Sequence, residues 1–287
     1  MLYRLIILCI FLPCLCAMQQ SEQVVASQHL CATECTIKAL IIEPDDILWQ
    51  PSAEAALENF LFFCPLLKKL KPDQFINDYL NQFFDMLGKE FGTGTAYYRN
   101  RKLPELWSRY LCDKITSKEA LNLAQQAVAK HTWFYNQPIL SVAAEKAFDP
   151  QQEAESMQLI QDMFDLLREL KEQGYILILF SNKSTASTRA LERRFELSNL
   201  FDVNLTSGIM HSLKPDADTY QKLVDALLGM GLKPEQCLCL ENHEVYAQPL
   251  RELHMRVQVL NSPQRLTKEE FRKALKKNGV LFIEEVA

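Results

Sequence analysis

Three carboxylates follow a short apolar stretch early in the chain. Residues 36–42 (TIKALII) are followed by Glu43, Asp45 and Asp46. A short apolar run that ends in Glu-Pro is typical of a buried strand running into a loop, so the acids stand at the carboxyl end of a predicted strand. In open parallel sheets, ligands bind at that edge. Carboxylates placed there can attack an electrophile, transfer protons or bind a hard cation.

The second half of the chain predicts the elements that would position such a site. Apolar runs at 175–180, 202–206, 237–240 and 257–260 read as strands, and amphipathic stretches at 153–172, 185–195, 216–230 and 245–254 read as helices. Regular alternation of this kind indicates an α/β fold, with a Rossmannoid parallel sheet that carries helices on both faces. We therefore expect a core made of residues 36–51 and 151–287.

The segment between these two parts, residues 52–150, has helical periodicity and predicts a helical cap. Its apolar stretches are NFLFFCPLLKKL, QFINDYLNQFFDMLG and KEALNLAQQAVAKHTWF, divided by Pro72, by a GTGT turn at 92–95 and by Pro104. We interpret the insert as all-helical. The spacing of its Phe and Leu residues is more typical of a helical core than of a binding surface.

The N-terminus predicts export. Arg4 precedes an apolar run at 5–12, and Ala17 offers a small residue at a cleavage site, so residues 1–17 read as a signal peptide followed by a polar segment at 18–35. The run is shorter than the roughly 20 apolar residues that cross a bilayer, which argues against a permanent membrane span. An uncleaved apolar N-terminus is the main alternative, and a lipoprotein is a minor one because Cys14 and Cys16 lack small residues directly before them. The formal charge of -5 and the pI near 5.7 argue against nucleic-acid binding.

Six of the nine cysteines lie beyond the predicted signal peptide. Cys237 and Cys239 alternate on a predicted buried strand, where free cysteines behave as small hydrophobic residues. Cys31 and Cys35 are the better disulfide or redox candidates, since an exported protein can form disulfides.

Two further segments, together with the early acids, resemble haloacid dehalogenase-like (HAD) hydrolases of the branch whose cap follows the first motif. They are YILILFSN, with Ser181 and Asn182, and GIMHSLKPDADTY, with Lys214, followed by GLKPEQCLCLEN. The resemblance covers residues 36–260. It implies that Ser181, Asn182 and Lys214 bind a phosphoryl group, with the lysine offsetting the charge of phosphate and carboxylates.

The first motif departs from the family pattern. Family enzymes carry Asp-x-Asp, in which the first Asp attacks phosphorus and the second is the general acid and base. The resemblance places Glu43 at the nucleophile position and Asp45 at the acid/base position, while Asp46 and Ile47 replace a small Gly-Thr turn. The extra methylene of Glu43 moves the attacking oxygen, and a shift of about 1 Å can cost on the order of 100-fold in rate.

The fourth motif is also altered, because Glu241-Asn242 stands where family members show Asp-Asp, Glu-Asp or Gly-Asp. The resemblance implies a Mg²⁺ site formed by Glu43, the Asp45 carbonyl, Glu241 and Asn242. Neutral Asn242 removes charge that would hold the ion, so magnesium binding stays open. His254 stands where a glycine is expected before the last strand.

Two main hypotheses about function follow. The first is an exported, magnesium-dependent phosphohydrolase that acts on a small phosphorylated molecule. The second, which the altered motifs favour, is a non-catalytic module that keeps the phosphate pocket, and a purely structural protein is a third possibility. All of them predict that Glu43, Asp45, Ser181, Lys214 and Glu241 converge at one edge of the sheet.

Overall fold

The computed structural model describes residues 36–52, 72–98, 101–131, 137–260 and 267–282. The helices and strands within these ranges belong to one compact unit, Lys38–Ala287. The predicted signal peptide at 1–17, the polar segment at 18–35 with Cys31 and Cys35, and the predicted helix around 59–70 lie outside the described residues. None of the helices within these ranges is long and apolar enough to span a membrane.

The described residues form nine strands and eleven helices. The strands are β1 (Ala39–Ile42), β2 (Trp49–Pro51), β3 (Thr93–Tyr98), β4 (Arg101–Pro104), β5 (Met157–Leu159), β6 (Ile176–Ser181), β7 (Val203–Thr206), β8 (Cys237–Glu241) and β9 (Arg256–Val259). The helices are α1 (Pro72–Phe91), α2 (Glu105–Leu111), α3 (Ser117–His131), α4 (Gln137–Phe148), α5 (Pro150–Ser156), α6 (Gln161–Glu172), α7 (Thr185–Phe195), α8 (Ser207–Met210), α9 (Ala217–Gly229), α10 (Glu244–Glu252) and α11 (Lys268–Lys277).

Five of the strands form a parallel sheet in the order β7-β6-β1-β8-β9. The first strand lies in the centre, and the chain moves outward in one direction through β6 and β7 and then in the other through β8 and β9. The carboxyl ends of β1 and β8 therefore meet where the strand order reverses, which is where ligands bind in sheets of this type. The predicted α/β fold is confirmed.

Apolar side chains on both faces explain why the central strands are buried. Ala39 and Ile41 face one side, where they join a cluster with Leu223 and Leu227 of α9. Leu40 and Ile42 alternate to the other face. There α6 contacts β6, and its buried residues Met163, Leu166, Leu167 and Leu170 follow the spacing of an amphipathic helix.

Cys237 and Cys239 are free thiols buried in β8. Burial raises the pKa of the Cys237 thiol to about 12 and that of Cys239 well above its ordinary value. Both thiols stay protonated at neutral pH, in agreement with the interpretation of the pair as small hydrophobic residues.

The insert departs from the all-helical prediction. Its helix α1 covers the predicted stretch 74–88, and α3 covers the described part of the stretch 118–134, up to His131. However, β3 and β4 form an antiparallel hairpin between α1 and α2. The stretch read as a GTGT turn begins β3. Thr95 and Tyr97 are residue types enriched in strands, but only the pairing with β4 identifies the strand.

The predicted helix at 153–172 is also wrong at residues 157–160, although its first four residues belong to α5. Residues Met157–Leu159 form β5, which pairs antiparallel with β2, and α6 begins only at Gln161. The pairing joins the two ends of the insert into a short ribbon. A partner more than 100 residues away in the sequence thus overrides the local helical propensity.

Five non-glycine residues of the described ranges adopt the left-handed conformation that usually favours glycine, and two of them stand at altered motif positions. Asp46 has φ 62° and His254 has φ 62°. Asp46 and His254 stand at the positions where the family pattern has glycine, and both have the positive φ that glycine adopts most easily. Asp and His are among the residues that tolerate this region best.

Candidate functional site

The centre of the site is a buried lysine held between two carboxylates. The Lys214 ammonium lies 2.9 Å from Glu43 Oε2 and 2.5 Å from Glu241 Oε1, and it donates to the Phe180 carbonyl at 3.2 Å. The side chain of Lys214 is fully buried, and those of Glu43 and Glu241 are 4% and 2% exposed. The cluster thus joins the ends of β1, β6 and β8 through one ammonium group.

Two aromatic rings complete the environment of this ammonium. Lys214 Nζ lies 4.9 Å from the centre of the Phe180 ring and 5.0 Å from that of Tyr246. Contacts of this kind favour a cation. All three hydrogen-bond donors of the ammonium are therefore used, and its remaining surroundings are aromatic.

The electrostatics follow from burial and these contacts. Burial by itself would lower the pKa of Lys214, but the neighbouring carboxylates of Glu241 and Glu43 outweigh it and raise the pKa above its ordinary value. Burial raises the pKa of Glu241 to about 7; Lys214 opposes this rise and the nearby Glu43 adds to it. At neutral pH the cluster holds a charged lysine and a Glu241 carboxyl that is close to its titration point.

Ser181 and Asn182 are engaged by the same cluster. The Ser181 hydroxyl donates to Glu43 Oε1 at 2.8 Å. The Asn182 side chain forms a reciprocal pair with the Lys214 backbone, since Nδ2 donates to the carbonyl at 2.9 Å and Oδ1 accepts from the amide at 2.8 Å. Asn182 therefore positions the loop that carries Lys214, a role that the sequence does not reveal.

Asp45 lies beside the cluster, where its carboxylate is also engaged. Oδ1 accepts from Trp49 Nε1 at 2.6 Å and lies 3.3 Å from Lys183 Nζ. Lys183 also forms an ion pair with Glu153 at 2.8 Å. Burial alone would lower the pKa of Lys183, yet Asp45 and Glu153 raise it above its ordinary value.

Sequence reasoning missed Lys183, Trp49 and Tyr246. Lys183 directly follows the Ser181-Asn182 motif, and this position in the sequence was the one feature that could have marked it as a site residue. Its burial, and its pairing with a residue 30 positions earlier, depend on tertiary structure. The five residues expected to converge do lie together at the carboxyl edge of the sheet.

The residues present do not fit the magnesium site that the fold family implies. Within the described ranges, no group of three or more His, Cys, Asp or Glu side chains could hold a metal ion. Lys214 lies between the carboxylates of Glu43 and Glu241, and Asn242 Nδ2 donates to the Asp45 carbonyl at 3.1 Å. A lysine and an amide N–H thus meet the oxygens that a divalent cation would need.

The sequence matches one known protein family over more than half of its length. The model of the haloacid dehalogenase-like hydrolases matches residues 77–252. The chain belongs to this family. The matched range begins within α1, after the altered first motif at Glu43 and Asp45. No curated protein sequence matches the chain.

Solved structures share the fold of this HAD protein at low sequence identity. A HAD family enzyme, BT-2542 of Bacteroides thetaiotaomicron, in complex with magnesium and inorganic phosphate, is 15% identical over 79% of this chain and 96% of its own, with a TM-score of 0.51. A predicted HAD-like family hydrolase from Porphyromonas gingivalis is 14% identical over 83% and 98%, with a TM-score of 0.50. A dehalogenase is 15% identical over 82% and 89%, with a TM-score of 0.51. These likenesses establish the fold.

Proposed function

We propose that this HAD-family protein is a non-catalytic module whose former phosphate pocket is occupied by its own side chains. The observation that carries the proposal is the position of Lys214 Nζ, which contacts Glu43, Glu241 and the Phe180 carbonyl at once. An ammonium that is fully buried and fully hydrogen-bonded has no donor left for a phosphoryl oxygen.

The geometry of Glu43 supports the same conclusion. Nucleophilic attack needs a carboxylate oxygen that faces phosphorus, but Oε1 accepts from Ser181 and Oε2 from Lys214. Both oxygens of Glu43 are therefore bound by buried side chains of the protein. A substrate would have to displace two buried hydrogen bonds before attack could begin, which opposes the reaction.

The environment of Asp45 opposes proton transfer as well. Asp45 Oδ1 accepts from Trp49 Nε1 and lies beside the Lys183 ammonium, so this oxygen is already bound by the protein's own side chains. A general acid or base needs an oxygen within hydrogen-bonding reach of the substrate, and these contacts compete with that role.

One observation favours the alternative of an active, magnesium-dependent phosphohydrolase on a small phosphorylated substrate. Among the described side chains, Glu241 Oε2 is a buried oxygen without a hydrogen-bond partner. A cation could bind it if Lys214 moved away. Lys214 Nζ already lies 2.5 Å from the other oxygen of this carboxyl group, so a cation would have to displace a buried, fully hydrogen-bonded ammonium.

A phosphatase assay separates the two functions. The purified protein is incubated with Mg²⁺ and a panel of phosphate esters, beside the Glu43→Gln variant, which keeps the shape of the side chain but removes its charge. We expect both proteins to give the same background rate. Turnover that the wild type shows and Glu43→Gln lacks would refute the non-catalytic function.

We also propose that the protein is exported, on the basis of Arg4, the apolar run at 5–12 and Ala17. Mass spectrometry of protein from its native host should find an N-terminus near Met18. Recovery of intact Met1 in the soluble cytoplasmic fraction would contradict export.

A further inference from the structure

One joint between the insert and the core is built around Tyr246. Its hydroxyl accepts from the Tyr97 amide at 2.7 Å and donates to the Tyr97 carbonyl at 2.9 Å. Tyr97 belongs to the hairpin of the insert and Tyr246 to α10 of the core. The same Tyr246 ring covers the Lys214 ammonium, so this joint lies directly over the candidate site.

A second joint lies at the end of α2. The Tyr110 hydroxyl is 3.0 Å from Ser187 Oγ, and both side chains are buried. Ser207 Oγ donates to the Leu111 carbonyl at 2.8 Å, and His211 Nδ1 lies 3.2 Å from the Cys112 carbonyl, which can only accept. Three consecutive residues of the insert are thus bonded to three different parts of the core.

Asp113 completes this second joint. The Thr185 amide at the start of α7 donates to both carboxylate oxygens at 3.3 Å. The first amides of a helix have no partner inside the helix, and a carboxylate there is favoured by the helix dipole. Asp113 of the insert thus satisfies an amide of the core that would otherwise need solvent or a ligand.

Close packing surrounds the second joint. A Cβ at Gly208 would lie 2.3 Å from the Thr185 amide and 2.7 Å from Asp113 Oδ2, so only glycine fits there. Leu213, next to Lys214, is buried in the apolar cluster of the insert together with Leu111. The insert and the core therefore share apolar as well as polar contacts.

We propose that these two joints latch the insert onto the core, so that it does not open as a hinged lid and the Lys214 cluster is reached only when both joints release together. The latch consists of Tyr246 with Tyr97, and of the segment 110–113 with α7, Ser207 and His211. This inference does not depend on whether the site turns over a substrate.

Amide hydrogen exchange of the full chain, followed by NMR, tests the latch. Two amides report on it directly, because the N–H groups of Tyr97 and Thr185 donate across the two joints. In the wild type we expect both to exchange far more slowly than exposed loop amides. In Tyr246→Phe, which loses only the hydroxyl, we expect both to exchange on the order of tenfold faster, since opening one joint frees the other.

Tyr175→Phe is the matched control. The Tyr175 hydroxyl also bridges a backbone carbonyl and amide, those of Leu281, but it lies within the core. This variant should leave exchange at Tyr97 and Thr185 unchanged, and amides of the central strand β1 should stay protected in both variants. Fast exchange of the two reporter amides in the wild type would overturn the latch, as would a Tyr246→Phe effect that is absent or limited to Tyr97.

Discussion

Two buried lysines in this protein each bind two carboxylates, and they differ in how much water reaches their partners. Lys214 holds Glu43 and Glu241, whose side chains are 4% and 2% exposed. Lys183 holds Asp45 and Glu153, whose side chains are 39% and 19% exposed. The same combination of charges therefore occurs once in the interior of the core and once near its surface.

The difference shows what burial does to an ion-pair cluster. Buried charges lose hydration, and their attraction must compensate for that loss, whereas partly exposed carboxylates keep some of their water. The Lys214 cluster has accordingly a carboxyl group, Glu241, with a pKa raised to about 7 by burial. The two clusters also join different parts: Lys214 joins three strand ends, and Lys183 joins β6 to α5 at the end of the insert.

The largest expected effect is on stability when each lysine is replaced by methionine. Lys214→Met leaves two buried carboxylates without their cation, and such a loss typically costs about 3–5 kcal/mol. Lys183→Met leaves carboxylates that can turn to water, so we expect roughly 1–2 kcal/mol. Urea denaturation measures the free energy of unfolding of both variants. Equal losses of stability would show that the solvent exposure of the carboxylates makes no difference.

A second test restores the residue types of the family pattern at two positions next to Lys214 and leaves the Lys183 cluster unchanged. Glu43→Asp shortens the side chain, and Asn242→Asp replaces the amide that donates to the Asp45 carbonyl with a carboxylate. We expect the double variant to bind Mg²⁺ on the order of tenfold more tightly than the wild type, with more than additive effects. Calorimetric titration measures the affinity.

The matched control for this repair is Glu153→Asp, which shortens a carboxylate of the Lys183 cluster and should not change magnesium binding. If the repaired protein folds and binds Mg²⁺ but hydrolyses no phosphate ester, then Asp46, Ile47 or the latched insert prevents turnover. Ordinary phosphatase rates in the unmodified protein would contradict the interpretation of Glu43.

A third test uses pH. A carboxyl whose pKa rises from 4.5 to about 7 on folding binds its proton more tightly in the folded state. Between those values the folded state holds more protons than the unfolded state, so this group makes the free energy of unfolding fall as pH rises. In Glu241→Gln that contribution is absent, so we expect the slope of the free energy of unfolding against pH to be more positive than in the wild type in this window.

Denaturation at several pH values between 4 and 8 measures this slope. A slope that is the same in wild type and Glu241→Gln would mean that another group titrates.

The smallest expected effect is that of salt. Double-mutant cycles for the pairs Lys183–Glu153 and Lys214–Glu241 measure each coupling energy at low and at high NaCl. Screening weakens interactions that solvent reaches, so the first coupling should fall by a few tenths of a kcal/mol, or about 0.5 kcal/mol at most, while the second changes little. Equal salt dependence would remove the distinction between the clusters.

The sequence by itself determined the sheet and the place of the site. Strand and helix periodicity is local, so the alternation after residue 153 could be read directly, and the ends of parallel strands meet at one edge whatever the details of packing. Glu43, Ser181 and Glu241 stand at predicted strand ends, and the resemblance to the HAD motifs added Lys214, so the four residues could be expected together. The altered first and fourth motifs were visible from the same resemblance, because each is a change of residue type at a known motif position.

Only the tertiary structure decided how these residues are used. The pairing of β2 with β5, the bonds between Asn182 and the Lys214 backbone, and the ion pairs of Lys183 join residues far apart in the sequence. No local pattern encodes such contacts, since they depend on which side chains packing brings within hydrogen-bonding distance. Whether a lysine faces a ligand or the protein's own carboxylates depends on burial and hydrogen bonding, which exist only once the chain has folded.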